Sequence, residues 1–176
     1  MSTDASNSPF THTYAAGSYT PIVTVTDKDG DQGSKSAATG AVSFLYKMSG
    51  ILPPFNADGS SVFKYGSTIP VKVQITDCNS VPVSGLSPQI GTQLKSGADP
   101  TAGIDEVTST SAADTGTTLR YDPTSGQYIY NLASKSLSDG SATYYVYVRE
   151  SHSVGKTLTG AASVGQSYQQ FGLKLR

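Results

Sequence analysis

Residues 67–77, STIPVKVQITD, place a β-branched apolar side chain at every second position. In an extended strand, successive side chains point to opposite faces, so a period of two gathers the apolar residues on one side. The residues of this stripe are Ile69, Val71, Val73 and Ile75. Four inward apolar positions predict a sheet that buries one face against a second sheet.

Short alternating segments bounded by turn residues recur along the chain. The further predicted strands cover residues 42–48, 89–95, 142–149 and 171–175, together with a hairpin that joins 119–121 to 127–132. The chain has 18 glycines and no tryptophan, and no segment has the periodicity of an amphipathic helix. Residues 151–167 are polar and glycine-rich, which predicts a loop. A count of about seven to nine strands predicts an all-β fold, an antiparallel immunoglobulin-like β-sandwich with additional N-terminal strands.

The strand at 142–149 carries aromatic residues on both of its faces. Tyr144, Val146 and Val148 share one face. The other face carries the candidate ligand-binding residues, Tyr145, Tyr147 and Arg149. Tyrosine combines a flat apolar ring with a polar tip, so an exposed row of tyrosines can stack on sugar rings or contact another protein module. Packing of tyrosines between strands is the alternative interpretation of the same residues.

The N-terminal segment also alternates, with Tyr19, Val23 and Val25 on one face of a predicted strand. Pro21 cannot donate a hydrogen bond to a neighbouring strand, which favours a sheet edge or a bulge at this point. Residues 10–34 resemble the polycystic-kidney-disease (PKD) type of immunoglobulin-like domain. The resemblance depends on the HTY turn, on the GSY that begins the strand and on the TD that ends it. Only the last two strands of that domain type are matched.

Residues 49–176 carry a second resemblance. The stretches FNADGSSVFKYGSTIPVKVQITD and RYDPTSGQYIYNL, with a terminal LKLR, are similar to the PxKF module of large prokaryotic extracellular proteins. Here Val73 stands where the Pro-x-Lys-Phe strand has phenylalanine. The two resemblances imply a partial PKD-like segment at 1–48 and a PxKF-like sandwich at 49–176. They also imply an extracellular or cell-surface location, and they supply no catalytic residues.

The best candidate for a metal site is the DKDGD turn, in which Asp27, Asp29 and Asp31 alternate. Alternate carboxylates can converge on calcium, a cation that prefers oxygen ligands. A complete helix-loop-helix calcium loop needs glycine at its sixth position and an acid at its twelfth, where this chain has Gln32 and Ala38. Calcium binding and a solvated acidic hairpin turn are therefore both open interpretations.

The charge and cysteine content exclude several kinds of partner and site. The chain has 12 basic and 13 acidic residues and a net charge of −1, so it has no basic field to attract nucleic acid. No apolar run reaches the roughly 18 residues needed for a membrane-spanning helix, so we expect no membrane insertion. Cys78 is the only cysteine, which rules out a disulfide within the chain and a cysteine-based zinc cluster.

Catalytic patterns are sparse in the sequence. A serine hydrolase would need His12 or His152 beside an activated serine, and the chain contains no Gly-x-Ser-x-Gly elbow. Asp105 and Glu106 are adjacent, so on a strand they would point to opposite faces and could not act as a glycosidase pair; Glu150 is the other glutamate. The sequence therefore predicts a protein that is not an enzyme.

Taken together, the sequence favours a non-enzymatic structural or adhesive module of a larger secreted or cell-surface protein. A carbohydrate- or polymer-binding module that uses the tyrosines is the alternative, and a cryptic hydrolase is a third possibility. The expected partners are other domains of the parent protein, extracellular proteins or polymers. The N-terminal strands at 10–48 lack the rest of their domain, so we expect them to dock on the second module or to pair with a second copy as a homodimer.

Overall fold

The computed structural model describes residues 17–19, 22–36, 42–95, 107–158 and 162–175. The chain divides into two compact units, Met1–Phe44 and Leu45–Arg176. The predicted boundary between residues 48 and 49 lies a few residues later than this division. The difference arises because residues 46–48 form a strand that pairs within the second unit, where Met48 is fully buried.

The described part of the first unit contains four short strands, which are β1 (Gly17–Tyr19), β2 (Ile22–Thr26), β3 (Gln32–Ser36) and β4 (Val42–Phe44). Strands β1 and β4 pair antiparallel, and β2 forms an antiparallel hairpin with β3. The strand predicted around 19–26 is thus seen as two strands with different partners. Pro21 and His12 lie outside the described residues. Docking of these strands on the second unit, or pairing with a second copy, stays a prediction.

Nine strands are seen in the described residues of the second unit. They are β5 (Tyr46–Met48), β6 (Ser61–Lys64), β7 (Thr68–Val73), β8 (Ile75–Thr76), β9 (Gln89–Leu94), β10 (Arg120–Asp122), β11 (Gln127–Ala133), β12 (Thr143–Lys156) and β13 (Ala162–Lys174). The helical structure of the described residues is limited to one 3-10 turn, Ser134–Ser136. The predicted all-β class is confirmed. None of the described helical segments is long and apolar enough to cross a membrane.

The strands of the second unit form two sheets. One has the order β6-β13-β12-β5-β8, with β9 also paired to β12, and the other has the order β10-β11-β7. The pairings β5–β12 and β6–β13 are parallel, so the larger sheet is mixed, whereas the sequence predicted an antiparallel sandwich. Alternation reports which side chains face the core and carries no information on strand direction, which explains this difference. The arrangement is consistent with a β-sandwich.

The core forms where the apolar faces of these strands are buried. Ile69, Val71, Val73 and Ile75 are all completely inaccessible, which confirms the stripe predicted from the sequence. The strands β11, β12 and β13 add further inaccessible residues, which are Tyr128, Tyr130, Leu132, Tyr144, Val146, Val148 and Phe171. Each such side chain contributes about 1.5–3 kcal/mol of burial free energy, so this core rather than a cross-link stabilises the unit.

The segment 151–167 differs from its prediction as a loop. Residues 151–156 continue β12 and residues 162–167 belong to β13, with a shift of register between Arg149 and Val154. Small polar residues serve a packing role here, because the buried Ser167 donates to the carbonyl of Ser49 and accepts from the amide of Lys156. A Cβ atom on Gly155 would lie 1.9 Å from the Gln166 carbonyl oxygen, so only glycine fits this close approach.

Candidate functional site

The predicted ligand-binding residues lie on the face of β12 that points away from the core. Their register neighbours on β13 are Gln170, Tyr168 and Gln166, which stand opposite Tyr145, Tyr147 and Arg149. On the other side, β9 places Gln93, Gly91 and Gln89 opposite the same three residues. We call the surface formed by Tyr145, Tyr147, Arg149, Gln166, Tyr168 and Gln170 the tyrosine face.

Tyr147 is buried in the middle of the tyrosine face, with an exposed fraction of only 5%. Its ring lies on Gly91, where a Cβ atom would stand 2.3 Å from the tyrosine Cζ and Oη atoms. The guanidinium carbon of Arg149 lies 4.5 Å from the centre of the same ring, a cation–π distance. Burial raises the pKa of the Tyr147 hydroxyl, although the charge of Arg149 opposes the shift. Tyr147 is therefore a platform for Arg149 and presents little surface of its own.

Tyr145 and Tyr168 are the half-buried rings of this face. Their ring centres are 6.0 Å apart and their planes are perpendicular, the edge-to-face arrangement that aromatic pairs favour. Lys95 lies beside them, with its Nζ atom 5.8 Å from the centre of the Tyr145 ring. The same Nζ atom donates a 2.6 Å hydrogen bond to Oε1 of Gln170. The face thus combines aromatic rings, amides and two cationic groups, Lys95 and Arg149.

A groove of about 520 Å³ adjoins the Arg149 end of the tyrosine face. It is lined by Gly85, Leu86, Ser87, Gln89, Arg149, Glu150, Ser151, His152 and Gly165. Tyr128 holds one wall in place, since its hydroxyl donates to the carbonyl of Val83 at 2.9 Å and accepts from the amide of Leu86 at 3.1 Å. Burial raises the pKa of this hydroxyl, which keeps it a neutral donor.

Glu150 and His152 form a carboxylate–imidazole pair in this groove. The Glu150 side chain is only 6% exposed, while that of His152 is 56% exposed. Oε2 of Glu150 accepts from the backbone amide of His152 at 2.7 Å, and Oε1 lies 2.9 Å from Nδ1 of the imidazole. Sequence reasoning missed this pair because it placed residues 151–167 in a loop. The polar residues that follow Glu150 have no apolar alternation that would have indicated a continuing strand.

The neighbouring Ser151 does not complete a catalytic triad. Its Oγ atom lies 3.2 Å from Nδ1 of His152, the same ring nitrogen that faces Glu150. In a serine–histidine–acid triad, the acid and the serine occupy opposite nitrogens, so that one orients the ring and the other gives up its proton. Here one nitrogen faces both groups. The geometry orients the imidazole and does not activate the serine.

The acidic turn at 27–31 joins β2 to β3. Oδ1 of Asp27 accepts from the backbone amides of Asp29 at 2.9 Å and Asp31 at 3.0 Å, and both carboxylate oxygens of Asp29 lie 2.9 Å from Nζ of Lys28. Gly30 has a φ of 90°, a conformation that favours glycine. Within the described part of the chain, no three His, Cys, Asp or Glu side chains are grouped so as to hold a metal ion. Calcium binding and a solvated acidic turn stay the two interpretations of these residues.

The turn after β8 repeats the hydrogen bonds of the acidic turn. Oδ1 of Asp77 accepts from the amides of Asn79 and Val81, which are two and four residues ahead of it. Asp27 binds the amides of Asp29 and Asp31 at the same spacing. Ser80 stands at the position equivalent to Gly30 and has a φ of 65°. Cys78 is exposed at this turn. Both aspartates therefore stabilise a turn through its backbone amides, a property expected of this residue type.

Three further carboxylates are used in the same way. Asp58, Asp122 and Asp139 each accept from the backbone amide two residues ahead, and hydrogen bonds from Ser60, Ser125 and Ser141 accompany these contacts. These hydrogen bonds lower the pKa of each of the three carboxyls.

Asp114 is the most buried of these acids, with an inaccessible side chain. Its carboxylate accepts from the backbone amide of Asn131 at 3.0 Å, from the hydroxyl of Ser109 and from the guanidinium of Arg120. Burial alone would raise the pKa of Asp114, but the hydrogen bonds and the charge of Arg120 outweigh it and lower the pKa. The cluster fastens the connection before β10 to the strand β11.

No family model matches the chain, and no curated protein matches it either. The structure defines the chain's second unit as an all-β unit consistent with a β-sandwich. The resemblances to PKD domains and PxKF modules, and the extracellular location that they imply, stay predictions.

Proposed function

We propose that this chain is a non-enzymatic structural or adhesive β-sandwich module of a larger extracellular or cell-surface protein. The observation that carries the proposal is the use of its carboxylates. Of the nine Asp and Glu residues in the described ranges, seven accept a hydrogen bond from a backbone amide. These seven are Asp27, Asp58, Asp77, Asp114, Asp122, Asp139 and Glu150.

In four of these acids, Asp58, Asp114, Asp122 and Asp139, hydrogen bonds stabilise the charged form and lower the pKa of the carboxyl. General acid–base catalysis instead needs a carboxyl whose pKa is close to the working pH and which can reach a substrate. These seven described acids fix turns or hold neighbouring segments together. This allocation favours a module whose role depends on a stable shape and on its surface.

The pair formed by Glu150 and His152 is the best place to look for a contrary result. A hydrolase that used this pair would lose turnover in Glu150→Gln and His152→Ala variants while keeping its fold. We expect purified chain to give no turnover of ester, peptide or glycoside test substrates above the level of the double variant Glu150→Gln/His152→Ala. Turnover that disappears in either single variant would overturn the non-enzymatic proposal.

A polymer-binding module is the second candidate, and the tyrosine face favours it. Tyr145 and Tyr168 present half-buried rings beside an exposed Arg149 and two glutamines, which together offer stacking and hydrogen bonding. The test is a binding screen with immobilised glycans and extracellular polymers, using Tyr145→Ala and Tyr168→Ala variants. Tyr121→Ala serves as the matched control, because Tyr121 is also half-buried but belongs to the other sheet. Binding that survives both face variants would assign adhesion to another surface.

A further inference from the structure

We propose that the tyrosine face binds an acidic polysaccharide, with a sugar carboxylate on Arg149 and sugar rings against Tyr145 and Tyr168. This inference rests on the second candidate function, polymer binding, and specifies the class of polymer. The juxtaposition that carries it is a guanidinium held over a buried tyrosine ring at one end of a row of aromatic and amide side chains.

Arg149 is exposed, and its guanidinium is positioned before any ligand arrives because it lies over the buried ring of Tyr147 in a cation–π contact. No carboxylate in the described ranges forms an ion pair with it. Glu150, the nearest acid in sequence, is almost inaccessible and faces His152. A planar guanidinium in this state can donate two parallel hydrogen bonds to a carboxylate, which a lysine cannot do.

The dimensions of the face suit a chain of sugars. Tyr145 and Arg149 are four residues apart on β12, which corresponds to about 13 Å along the strand. That distance accommodates a few pyranose rings lying along β12. Tyr168 stands beside the middle of this path, opposite Tyr147, and Gln166 stands opposite Arg149. Rings can stack on the half-buried tyrosines while the amides exchange hydrogen bonds with hydroxyl groups.

The charge of the face favours an acidic ligand over a neutral one. Among the described residues, Lys95 lies over the Tyr145 ring and Arg149 over the Tyr147 ring, and both of these exposed side chains are cationic. The carboxylate of Glu150 contributes little exposed negative surface because its side chain is only 6% exposed. A neutral polysaccharide would leave the charge of Arg149 unpaired, whereas a uronate carboxylate would accept its hydrogen bonds and neutralise that charge.

The experiment measures binding of the full chain to polygalacturonate and to the same polymer after complete methyl esterification. We expect the esterified polymer and the Arg149→Gln variant each to weaken binding at least tenfold, and added salt to weaken it further. Arg149→Lys keeps the charge but loses the planar fork, so it should fall between wild type and Arg149→Gln. Lys47→Gln is the matched control, because it removes an exposed positive charge from β5, outside the tyrosine face. Thermal melts of every variant check the fold.

The outcomes separate this inference from the function on which it rests. Equal binding of the acid and esterified polymers would overturn the acidic specificity and leave polymer binding in place. Binding of polyglutamate as tight as that of polygalacturonate, with no loss in Tyr168→Ala, would overturn the inference in favour of an acidic peptide. No binding to either polysaccharide by the folded wild-type chain would overturn it as well, and the structural role would remain.

Discussion

Replacing Asp114 by alanine tests whether the acids of this chain hold its connections in place. The substitution removes the acceptor of three hydrogen bonds, from Asn131, Ser109 and Arg120. Breaking a buried charged pair costs about 3–5 kcal/mol, and this pair belongs at the lower limit because the Arg120 side chain is 34% exposed. We therefore expect the free energy of unfolding to fall by about 3 kcal/mol, with a melting midpoint lower by about 10 °C.

Guanidinium titration and thermal melting would measure the effect, with Asp58→Ala as the control. Asp58 also accepts backbone and serine hydrogen bonds, but it is exposed, so its loss should shift the midpoint much less. Equal midpoints for the two variants would refute the argument that the buried cluster fastens the connection. A change in the denaturant slope would instead indicate an altered unfolded state.

The pH dependence gives a second readout of the same cluster. Because the folded-state pKa of Asp114 is lowered, its carboxylate contributes stability above the unfolded pKa of about 3.9 and loses it as the pH falls through the folded pKa. Between pH 6 and pH 3, wild type should therefore lose more stability than the Asp114→Asn variant. Parallel pH profiles would contradict the assigned direction of the shift.

Three further predictions follow from local geometry. Gly91→Ala should destabilise the second unit by about 1–3 kcal/mol, because the new methyl group would overlap the ring of Tyr147. Denaturant titration in a Tyr147→Ala background should show a smaller cost, and additive effects would disprove the contact. Ser80→Gly should raise the melting midpoint by relieving a positive φ, with a gain of up to about 1 kcal/mol, and a lower midpoint would contradict this account. The midpoint should be the same in calcium and in chelator, since Asp27 binds its own turn amides and Asp29 pairs with Lys28; a calcium-dependent rise that is lost in Asp31→Asn would establish the metal site.

The parts of the fold that depend on a single strand were predictable from the sequence. The stripe from Ile69 to Ile75 is buried as alternation predicts, and Tyr144, Val146 and Val148, which alternation grouped on one face without deciding which face is buried, all lie in the core. The hairpin between β10 and β11 also follows from its turn residues, with Gly126 at a φ of 66°. In each case the information lies within about ten neighbouring residues.

Features that depend on two distant segments were not predictable. The alternation correctly grouped Tyr145, Tyr147 and Arg149, but the burial of Tyr147 is decided by Gly91 on another strand. Similarly, the buried hydroxyl of Ser153 donates to the carbonyl of Glu150 next to the bulge, and that of Ser167 donates to the carbonyl of the distant Ser49. Because these hydroxyls have partners, a polar segment can form a buried strand. The groove with Glu150 and His152 arises from that same segment, and for this reason the candidate site was only half predicted.

The parallel pairing of β13 with β6 determines how this unit would respond to tension. The paired residues run from Phe171 opposite Ser61 to Lys174 opposite Lys64. Since the strands point the same way, a force that draws the start of β6 away from the end of β13 acts along both strands. All the hydrogen bonds between them would then be stretched at once, instead of opening one after another as they would in a hairpin pulled apart at its ends. The force needed to shear this strand pair therefore depends on how many residues are paired, and the length of β6, Ser61–Lys64, sets that number at four.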